Sequence, residues 1–329
     1  MKKLILFSFL VHTPFLWANC SPFIGNPRLS DSCLVRSLDG AVLSESQYEV
    51  ILAQLASHGA YYDTSRPRYY SSQSLNISSY WDNTVNGGNP LSHMTLGDIT
   101  LQGDPSLTKV GDIVGGFSYN WYSDFVFNEQ SWFDLNYQHN YGVGLTTGHE
   151  INFTKVTFCS NLKLYNSFFL DGCYFDSTEH KTLSVNSNAN KEVKLSYLLN
   201  GAKLVSFGKV ADLISSTHNF VEVSQALTNG NLLDARITSS KDEGGWSANL
   251  GYGFFSSGTA YKVNFSWNDY GRSWILGYPK EQVVKAIGLS LKTPSGYDLF
   301  IQYDRSSSNI DFFQNSNVNV SFGSAINLF

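Results

Sequence analysis

The 329-residue sequence has 15% charged residues, 15% aromatic residues and a formal net charge of −5. A soluble domain normally carries about 25% charged residues, so this chain is polar mainly through amides, hydroxyls and glycine. The aromatic content argues against disorder, and the lack of a basic excess argues against a nucleic-acid partner. The length allows one large β domain or two ordinary domains.

Residues 1–18 predict a secretory signal peptide. A basic start at Lys2 and Lys3 precedes an apolar stretch that ends at Ala18. This stretch is too short for a membrane-spanning helix and has the flanks of an export signal. We therefore expect an exported chain whose mature part begins near Asn19.

Residues 19–70 show no long alternation and predict a periplasmic or plug segment with one helix. Ser46 and Glu49 have the spacing of a helical capping box, and Gly59 supplies a stop. The apolar residues at helical spacing between them are Tyr48, Ile51, Leu52 and Leu55. We predict a helix over about residues 45–58, which either packs on its own segment, closes the lumen of a barrel or docks in the periplasm.

From residue 71 to residue 329, apolar and polar residues alternate over stretches of ten residues or more. In residues 261–268 every second residue is apolar, and the residues between are Lys, Asn and Ser. A period of two indicates strands with one apolar and one polar face. A soluble β-sandwich would also alternate, but its strands average about five or six residues. Long strands with terminal aromatic residues predict an all-β fold, a transmembrane antiparallel β-barrel of the outer-membrane type.

Fifteen candidate strands can be counted, of which the first covers 72–81 and the last 317–329. They include two adjacent candidates at 129–139 and 141–152. A barrel whose two ends both face the periplasm has an even number of strands. We therefore expect one error in the count and predict about 14 strands.

Four cysteines follow the signal peptide, and an even number in an exported chain favours disulfides. Three pairings are possible, and proximity in sequence favours Cys20–Cys33 and Cys159–Cys173. Spacings typical of zinc sites are missing. The Asp- and Asn-rich stretch 82–89 lacks the ligand order of a calcium loop and predicts a turn or long surface loop. We therefore name no metal and no cofactor.

One hairpin can be placed in register from the sequence. If residues pair so that their numbers sum to 332, Cys159 lies opposite Cys173 on the polar face, and Leu164 lies opposite Phe168 on the apolar face. The connection is then a three-residue loop over 165–167. A slip of one residue would exchange the two faces, so this match favours a cross-strand disulfide.

The C-terminus predicts a terminal strand with an assembly signal. Residues 321–328 fit the polar-x-Gly-x-x-apolar-x-apolar pattern that the barrel assembly machinery recognises, although Phe329 follows this pattern instead of completing it. The candidate signal residues are Gly323, Ile326, Leu328 and Phe329. With the signal peptide, they predict the outer membrane of a Gram-negative bacterium as the location. The expected partners are outer-membrane lipid and the barrel assembly machinery.

Two segments resemble the barrel of the surface lipoprotein assembly modifier (Slam) family. The first contains Thr-Val-Asn-Gly-Gly-Asn at 84–89, and the second contains Ser-Asn-Ile-Asp-Phe-Phe at 308–313, before the last strand. Slam barrels carry an Asn-Val-Asn-type run in the first strand and a Ser-Asn-Ile-aromatic turn after the penultimate strand. Slam proteins normally have helical repeats before the barrel, whereas residues 19–70 accommodate only one helix. The resemblance therefore implies a Slam-like barrel without the usual repeats.

The Slam resemblance implies a barrel that assists translocation of an exported protein or surface lipoprotein client across the outer membrane. The alternative is a general or solute-specific porin. A membrane-embedded hydrolase is a third function class, but its His-x-Ser pair does not occur in this sequence. We therefore expect no enzymatic activity, and we expect residues 19–70 to close the lumen.

Overall fold

The computed structural model describes residues 27–40, 44–57, 69–128, 130–165, 167–199, 202–212, 217–227, 231–240, 244–293, 295 and 297–327. Two helices precede the strands: α1 (Pro27–Gly40) and α2 (Glu45–Ser57). None of the helices in these ranges is both long and apolar enough to cross a membrane. Residues 1–26, with the predicted signal peptide, lie outside the described part.

Helix α2 confirms the predicted helix, but it begins one residue before the predicted cap. The backbone N–H of Tyr48 donates to the carbonyl of Ser44 at 3.0 Å, so Ser46 lies within the first turn. Helix α1 was not predicted, because Ser and Asp interrupt its apolar residues and weaken the helical pattern. The N-terminal segment therefore contains a second helix in addition to the predicted one.

Sixteen strands are present in the described ranges. They are β1 (Tyr69–Asp82), β2 (His93–Leu96), β3 (Ile99–Gln102), β4 (Asp112–Asn128), β5 (Ser131–Gly144), β6 (Glu150–Tyr165), β7 (Phe168–Lys181), β8 (Ser184–Leu199), β9 (Lys203–Asp212), β10 (Thr217–Ala226), β11 (Leu232–Ser240), β12 (Trp246–Ser256), β13 (Thr259–Ile275), β14 (Tyr278–Lys292), β15 (Tyr297–Ser308) and β16 (Asn315–Asn327). Short 3₁₀ turns cover Pro105–Leu107 and Asp311–Phe313.

Strands β1 and β4 to β16 form one closed, antiparallel, 14-stranded barrel, which confirms the predicted fold class and strand number. Strands β2 and β3 form a separate hairpin inside the connection from β1 to β4. The barrel closes where β1 pairs with β16, over residues 74–80 and 321–327. On its other side, β1 pairs with β4 along its whole length, from Tyr69 to Asp82. The closing seam is therefore half as long as the seam beside it.

The fifteenth candidate strand came from dividing β5. The sequence predicted separate strands at 129–139 and 141–152, but β5 runs without a break to Gly144 and the turn covers 145–149. Asn140 pairs with Ser118 on one side and with Phe153 on the other. Its polar side chain follows the alternation of a strand and does not mark a turn.

The predicted hairpin register is confirmed for most of β6 and β7. Cys159 pairs with Cys173, and the two form a disulfide. The sum of 332 holds as far as Lys163, after which the register shifts and Tyr165 pairs with Phe168. The predicted Leu164–Phe168 pair was wrong, because an irregularity near the strand end replaces the three-residue loop. Cys20 lies outside the described residues, so the Cys20–Cys33 bridge stays a prediction.

Contacts between non-neighbouring strands identify the face that lines the lumen. Lys181 of β7 reaches Asp82 of β1, and Arg236 of β11 reaches Glu192 of β8. Side chains at alternate positions therefore point inward, and the intervening positions point outward. The outward set is apolar and exposed, for example Phe207, at 57% exposure. An apolar exterior around a closed sheet satisfies both the backbone and the side chains in lipid.

The two ends of the barrel differ in the lengths of their connections. At the end where β1 begins and β16 ends, the connections are short, for example 257–258 between β12 and β13. At the other end, residues 83–111 connect β1 to β4. Short turns are periplasmic and long loops extracellular in outer-membrane barrels. We therefore assign the ends in this way and call residues 83–111 the mouth loop.

Candidate functional site: the barrel lumen

A charged network narrows one side of the lumen. The guanidinium of Arg236 lies 3.0 Å from the carboxylate of Glu192 and 3.5 Å from that of Glu222. The same guanidinium lies 3.9 Å from the ring centre of Phe220. Glu222 is directly opposite Arg236 in the sheet, whereas Glu192 comes from β8, three strands away. The network therefore joins parts of the wall that the sheet itself does not join.

A second ion pair lies beside this network, between Lys262 and Asp234 at 3.4 Å. Together the two groups border a cavity of about 270 Å³. The other polar or small residues that line it include Asn249, Gly251, Asn264, Ser266, Gly288 and Gln302. Charges of both signs and amide groups suit a small polar solute.

Both N-terminal helices pack against the lumen wall at the periplasmic end. Leu29 and Leu34 of α1 and Ile51 and Leu55 of α2 form one buried cluster with Leu204 of β9 and Leu232 of β11. Leu204 and Leu232 occupy inward positions, so the cluster lies inside the barrel. Full burial of one such leucine is worth about 1.5–3 kcal/mol. The helices are therefore bound to the wall by an apolar core of their own.

Arg28 of α1 adds a specific polar contact to this apolar packing. Its guanidinium forms an ion pair with Asp171 of β7 and lies 3.5 Å from the side-chain oxygen of Asn161. It also lies 4.8 Å from the ring centre of Trp132 and 4.2 Å from that of Phe169. The side chains of Arg28 and Asp171 are only 16% and 9% exposed. Two aromatic rings and a carboxylate thus enclose one cation.

The wall around Arg28 is acidic. Asp124 of β4 is directly opposite Asp134 of β5, and the side-chain amide of Asn161 donates to Asp134 at 2.5 Å. Asp124 is fully buried. Asn161 connects this acidic pair to Arg28, because the guanidinium of Arg28 lies 3.5 Å from the side-chain oxygen of Asn161. The acidic side chains of the wall therefore favour binding of the Arg28 guanidinium.

The mouth loop crosses the extracellular end of the lumen. Lys181 of β7 donates to Asp82 at 2.7 Å and to the carbonyl of Thr84 at 3.2 Å. The backbone N–H of Leu183, at the tip of β7 and β8, donates to the carbonyl of Asn86 at 2.8 Å. Strands β1 and β7 are four positions apart in the barrel. The start of the loop is therefore attached across the opening.

Asn86 and Gly87 fix the shape of the mouth loop at this contact. The side chain of Asn86 accepts from the N–H of Val110 at 2.9 Å and donates to the carbonyl of Thr108 at 2.8 Å. Gly87 has a φ of +71°, and a Cβ atom there would lie 2.1 Å from the hydroxyl of Ser184. Both the backbone conformation and the available space thus require glycine.

The other part of the mouth loop is attached to the connection between β15 and β16. The backbone N–H of Thr95 donates to Asp311 at 3.0 Å and lowers the pKa of that carboxyl below its ordinary value. Lys109 donates to the side chain of Asn315 at 2.8 Å. The loop is thus held at two places on the rim. The stretch 82–89 was predicted as a turn or long surface loop, and it forms a turn at 83–86 at the start of this loop.

The predicted site residues have different outcomes. Gly323 of the assembly signal pairs with Ser78 in the closing seam, and Ile326 pairs with Leu75. Leu328 and Phe329 lie outside the described residues, so their role stays a prediction. The residues that the sequence analysis missed are Arg28, Asp171, Lys181, Glu192 and Arg236. The pairing of Arg236 with Glu222 could have been found from strand register, but the other contacts join distant parts of the sequence.

A closed 14-stranded barrel with an apolar exterior and a polar lumen defines a protein of the bacterial outer membrane. This class agrees with the location that the signal peptide and terminal strand predicted. The structure also shows what the lumen contains, which the sequence did not predict. The lumen is lined by charges of both signs, contains two helices at one end and is crossed by a loop at the other.

Comparison with solved structures finds outer-membrane porins. Pseudomonas aeruginosa OccK8 (OprE) is 10% identical and matches with a TM-score of 0.45 over 79% of this chain and 98% of its own. Acinetobacter baumannii OccAB3 is 8% identical, with a TM-score of 0.46 over 78% and 99%. P. aeruginosa OccK2 (OpdF) in complex with glucuronate is 9% identical, with a TM-score of 0.44 over 79% and 98%.

No protein-family model and no curated protein sequence matches the chain. The resemblance to Slam barrels gains no support from these comparisons beyond the outer-membrane barrel itself. We base the functional proposal on the lumen of this barrel.

Proposed function

We propose that this protein is an outer-membrane porin for small polar solutes, whose periplasmic end is closed by α1 and α2. The main support for the proposal is the polar lumen, where paired charges line a cavity of about 270 Å³. Solute passage requires groups that replace water around the solute without holding it tightly. Amides, hydroxyls and ion pairs distributed along a wall provide such groups.

The charges indicate the kind of solute. Arg236 and Lys262 provide positive groups, and Glu192, Glu222 and Asp234 provide negative groups within the same region. Because each cation already has an acidic partner, the wall has no strong field of one sign. We infer that it favours neutral or zwitterionic polar solutes, such as sugars and amino acids, over highly charged anions.

The closed state follows from how the helices are held. Apolar burial and the Arg28 contact bind them to the inner wall, and the segment enters the barrel from the same end as β1. A helix pair bound in this way can leave the wall without breaking any strand pairing. Opening therefore requires undocking of the helices and no rearrangement of the barrel.

Translocation of a partner protein is the second candidate function. The docked helices also favour it, because an exported client could displace them from the wall. In that case the mouth loop would keep the lumen closed to small solutes after the helices are removed, whereas the porin proposal requires a path for solutes beside this loop. The two functions therefore predict different conductance for small solutes after the helices are removed.

The test compares the mature protein with a variant that lacks residues 19–60, in planar bilayers and in liposome-swelling assays with neutral sugars and zwitterionic amino acids. We expect a low conductance for the complete mature chain, and stable conductance with rapid swelling for the variant. Heat-modifiable migration in gels would show that both barrels are folded. A folded variant that neither conducts nor admits solutes would contradict the porin proposal. Loss of one surface protein on gene deletion would then favour translocation.

A further inference from the structure

The outer face of β14 and β15 changes from apolar to basic at one height. Counted from the periplasmic end, the first charged outward residue is Lys285 on β14 and Arg305 on β15. The apolar outward residues below them are Leu291, Leu289 and Ile287 on β14, and Leu299, Ile301 and Tyr303 on β15. Lys285 and Arg305 are both exposed. The apolar rows that rise from the periplasmic end are thus first interrupted by two adjacent cations.

Lys285 and Arg305 are direct partners across β14 and β15. Like charges in this position repel each other and destabilise the sheet. The ammonium of Lys285 lies 4.1 Å from the ring centre of Trp267, the residue that pairs with it on β13. Within the described ranges, neither cation makes an ion pair with a carboxylate. An external anion between them would remove the repulsion.

The carboxylates near this pair are engaged elsewhere. Glu281, further up β14, forms an ion pair with Arg272 at 2.7 Å. Asp269 on β13 accepts from the N–H of Gly271 at 2.9 Å, and Asp304 occupies an inward position, where Asn317 donates to it. None of these three carboxylates forms an ion pair with Lys285 or Arg305.

The pair lies near the upper border of the apolar band. Arg305 lies eight residues beyond Tyr297, the periplasmic end of β15. At about 3.3 Å per residue and a strand tilt of about 40°, this places it about 20 Å above that end. The apolar band of an outer-membrane barrel is about 25 Å tall and is bordered by aromatic residues. Trp267 beside Lys285 is consistent with such a border.

The opposite part of the wall repeats the arrangement. Lys191 on β8 and Lys209 on β9 are outward and exposed, and they are diagonal neighbours because Lys191 pairs with Ala211 and Lys209 with Val193. They lie eight and six residues from the periplasmic ends of their strands. Asp176, on the neighbouring strand β7, is the acidic group nearest in the sheet pattern and accepts from Tyr174 at 3.4 Å. Outward cations thus lie at a similar distance from the periplasmic end on β8 and β9 as on β14 and β15.

We propose that Lys285 and Arg305 form a binding site for a phosphate group of the phosphorylated glycolipid in the outer leaflet, and that Lys191 and Lys209 form a weaker second site. The acyl chains of such a lipid lie along the apolar rows below the cations, and its phosphate lies between them. This site faces lipid and is independent of what passes through the lumen.

The test uses the purified mature protein, native mass spectrometry and two probes: bis-phosphorylated lipid A and its dephosphorylated form. Each basic residue near an anionic lipid surface contributes about a five-fold gain in binding. We expect Lys285→Gln/Arg305→Gln to lower lipid A binding about 30-fold, and each single substitution to lower it about five-fold. The dephosphorylated lipid should bind all forms weakly, and inorganic phosphate at equal concentration should not compete.

The matched control is Lys155→Gln/Lys194→Gln, which removes the same charge from inward positions on β6 and β8. It should retain the lipid A binding of the unchanged protein. Heat-modifiable migration confirms that each variant is folded, and the single substitutions provide the result if the double variant does not fold. Equal binding of lipid A by the unchanged protein and both single variants would overturn the proposal. Equal binding of the two lipid forms would also overturn it.

Discussion

Replacing Arg28 by alanine should release the N-terminal helices from the lumen wall. The substitution removes the ion pair with Asp171 and the contacts with the rings of Trp132 and Phe169. Loss of one partner from a buried ion pair costs about 3–5 kcal/mol. Because Arg28 keeps 16% exposure, we take the lower limit, about 3 kcal/mol. At about 1.4 kcal/mol per factor of ten, helix docking weakens about 100-fold.

The assay is single-channel recording of the complete mature protein in planar bilayers. The ratio of open to closed time should rise about 100-fold in Arg28→Ala, because docking of the helices closes the lumen. Asp171→Asn should have a smaller effect, since a neutral amide still accepts a hydrogen bond from Arg28. In the double variant the two effects should not add, because both substitutions remove one interaction.

Arg272→Ala is the matched control for this experiment. Arg272 forms an ion pair with Glu281 at 2.7 Å, but the two side chains are 64% and 57% exposed and lie far from the helices in sequence and on another part of the barrel. Exposed pairs contribute about 0–1 kcal/mol, so the open-time ratio should not change. An unchanged ratio in Arg28→Ala, or the same increase in Arg272→Ala, would show that the Arg28 contact does not hold the helices in the lumen.

Two further predictions concern the mouth loop and the N-terminal segment. The hydrogen bond from Thr95 lowers the pKa of Asp311 in the folded state, so its contribution to loop attachment is present above the ordinary aspartate range and is lost as the pH falls through the lowered value. Proteolysis within 83–111 should therefore accelerate in acid, and Asp311→Asn should be cleaved rapidly at neutral pH as well; equal rates for the two proteins at every pH would contradict this. Peptide mapping without reduction should find Cys20 linked to Cys33, and a link from Cys33 to either barrel cysteine would exclude that pairing.

The barrel itself could be predicted because its signal is local. Alternation along each strand fixes which residues face lipid, and the match of both faces fixed the β6–β7 register that contains Cys159 and Cys173. The sequence-based predictions were wrong where tertiary contacts, and not the local residue pattern, determine the secondary structure. The candidate strands at 129–139 and 141–152 divided β5, which runs to Gly144. Helix α1 has a weak apolar pattern because the barrel wall supplies part of its apolar surroundings.

The lumen could not be predicted because its contacts join distant residues. Arg28 and Asp171 are 143 positions apart, and Lys181 and Asp82 are 99 apart. No periodicity relates such pairs, since each depends on barrel closure and on how far a helix or loop enters the lumen. Sequence alternation shows that Arg236 faces inward, but only the closed barrel brings Glu192 to it.

The short pairing between β1 and β16 determines where the barrel wall is mechanically weakest. Seven residue pairs hold this seam, whereas fourteen hold β1 to β4. On the lumen side, Asn83 donates to Asn317 and thereby links the two strands near the extracellular rim. Under lateral tension, or when the wall is pulled by its terminal strand, separation begins at this seam from the periplasmic edge, where residues 69–73 of β1 have no partner in the described part of β16. The remaining wall would then stay together as a single curved sheet that starts at β1 and ends at β16.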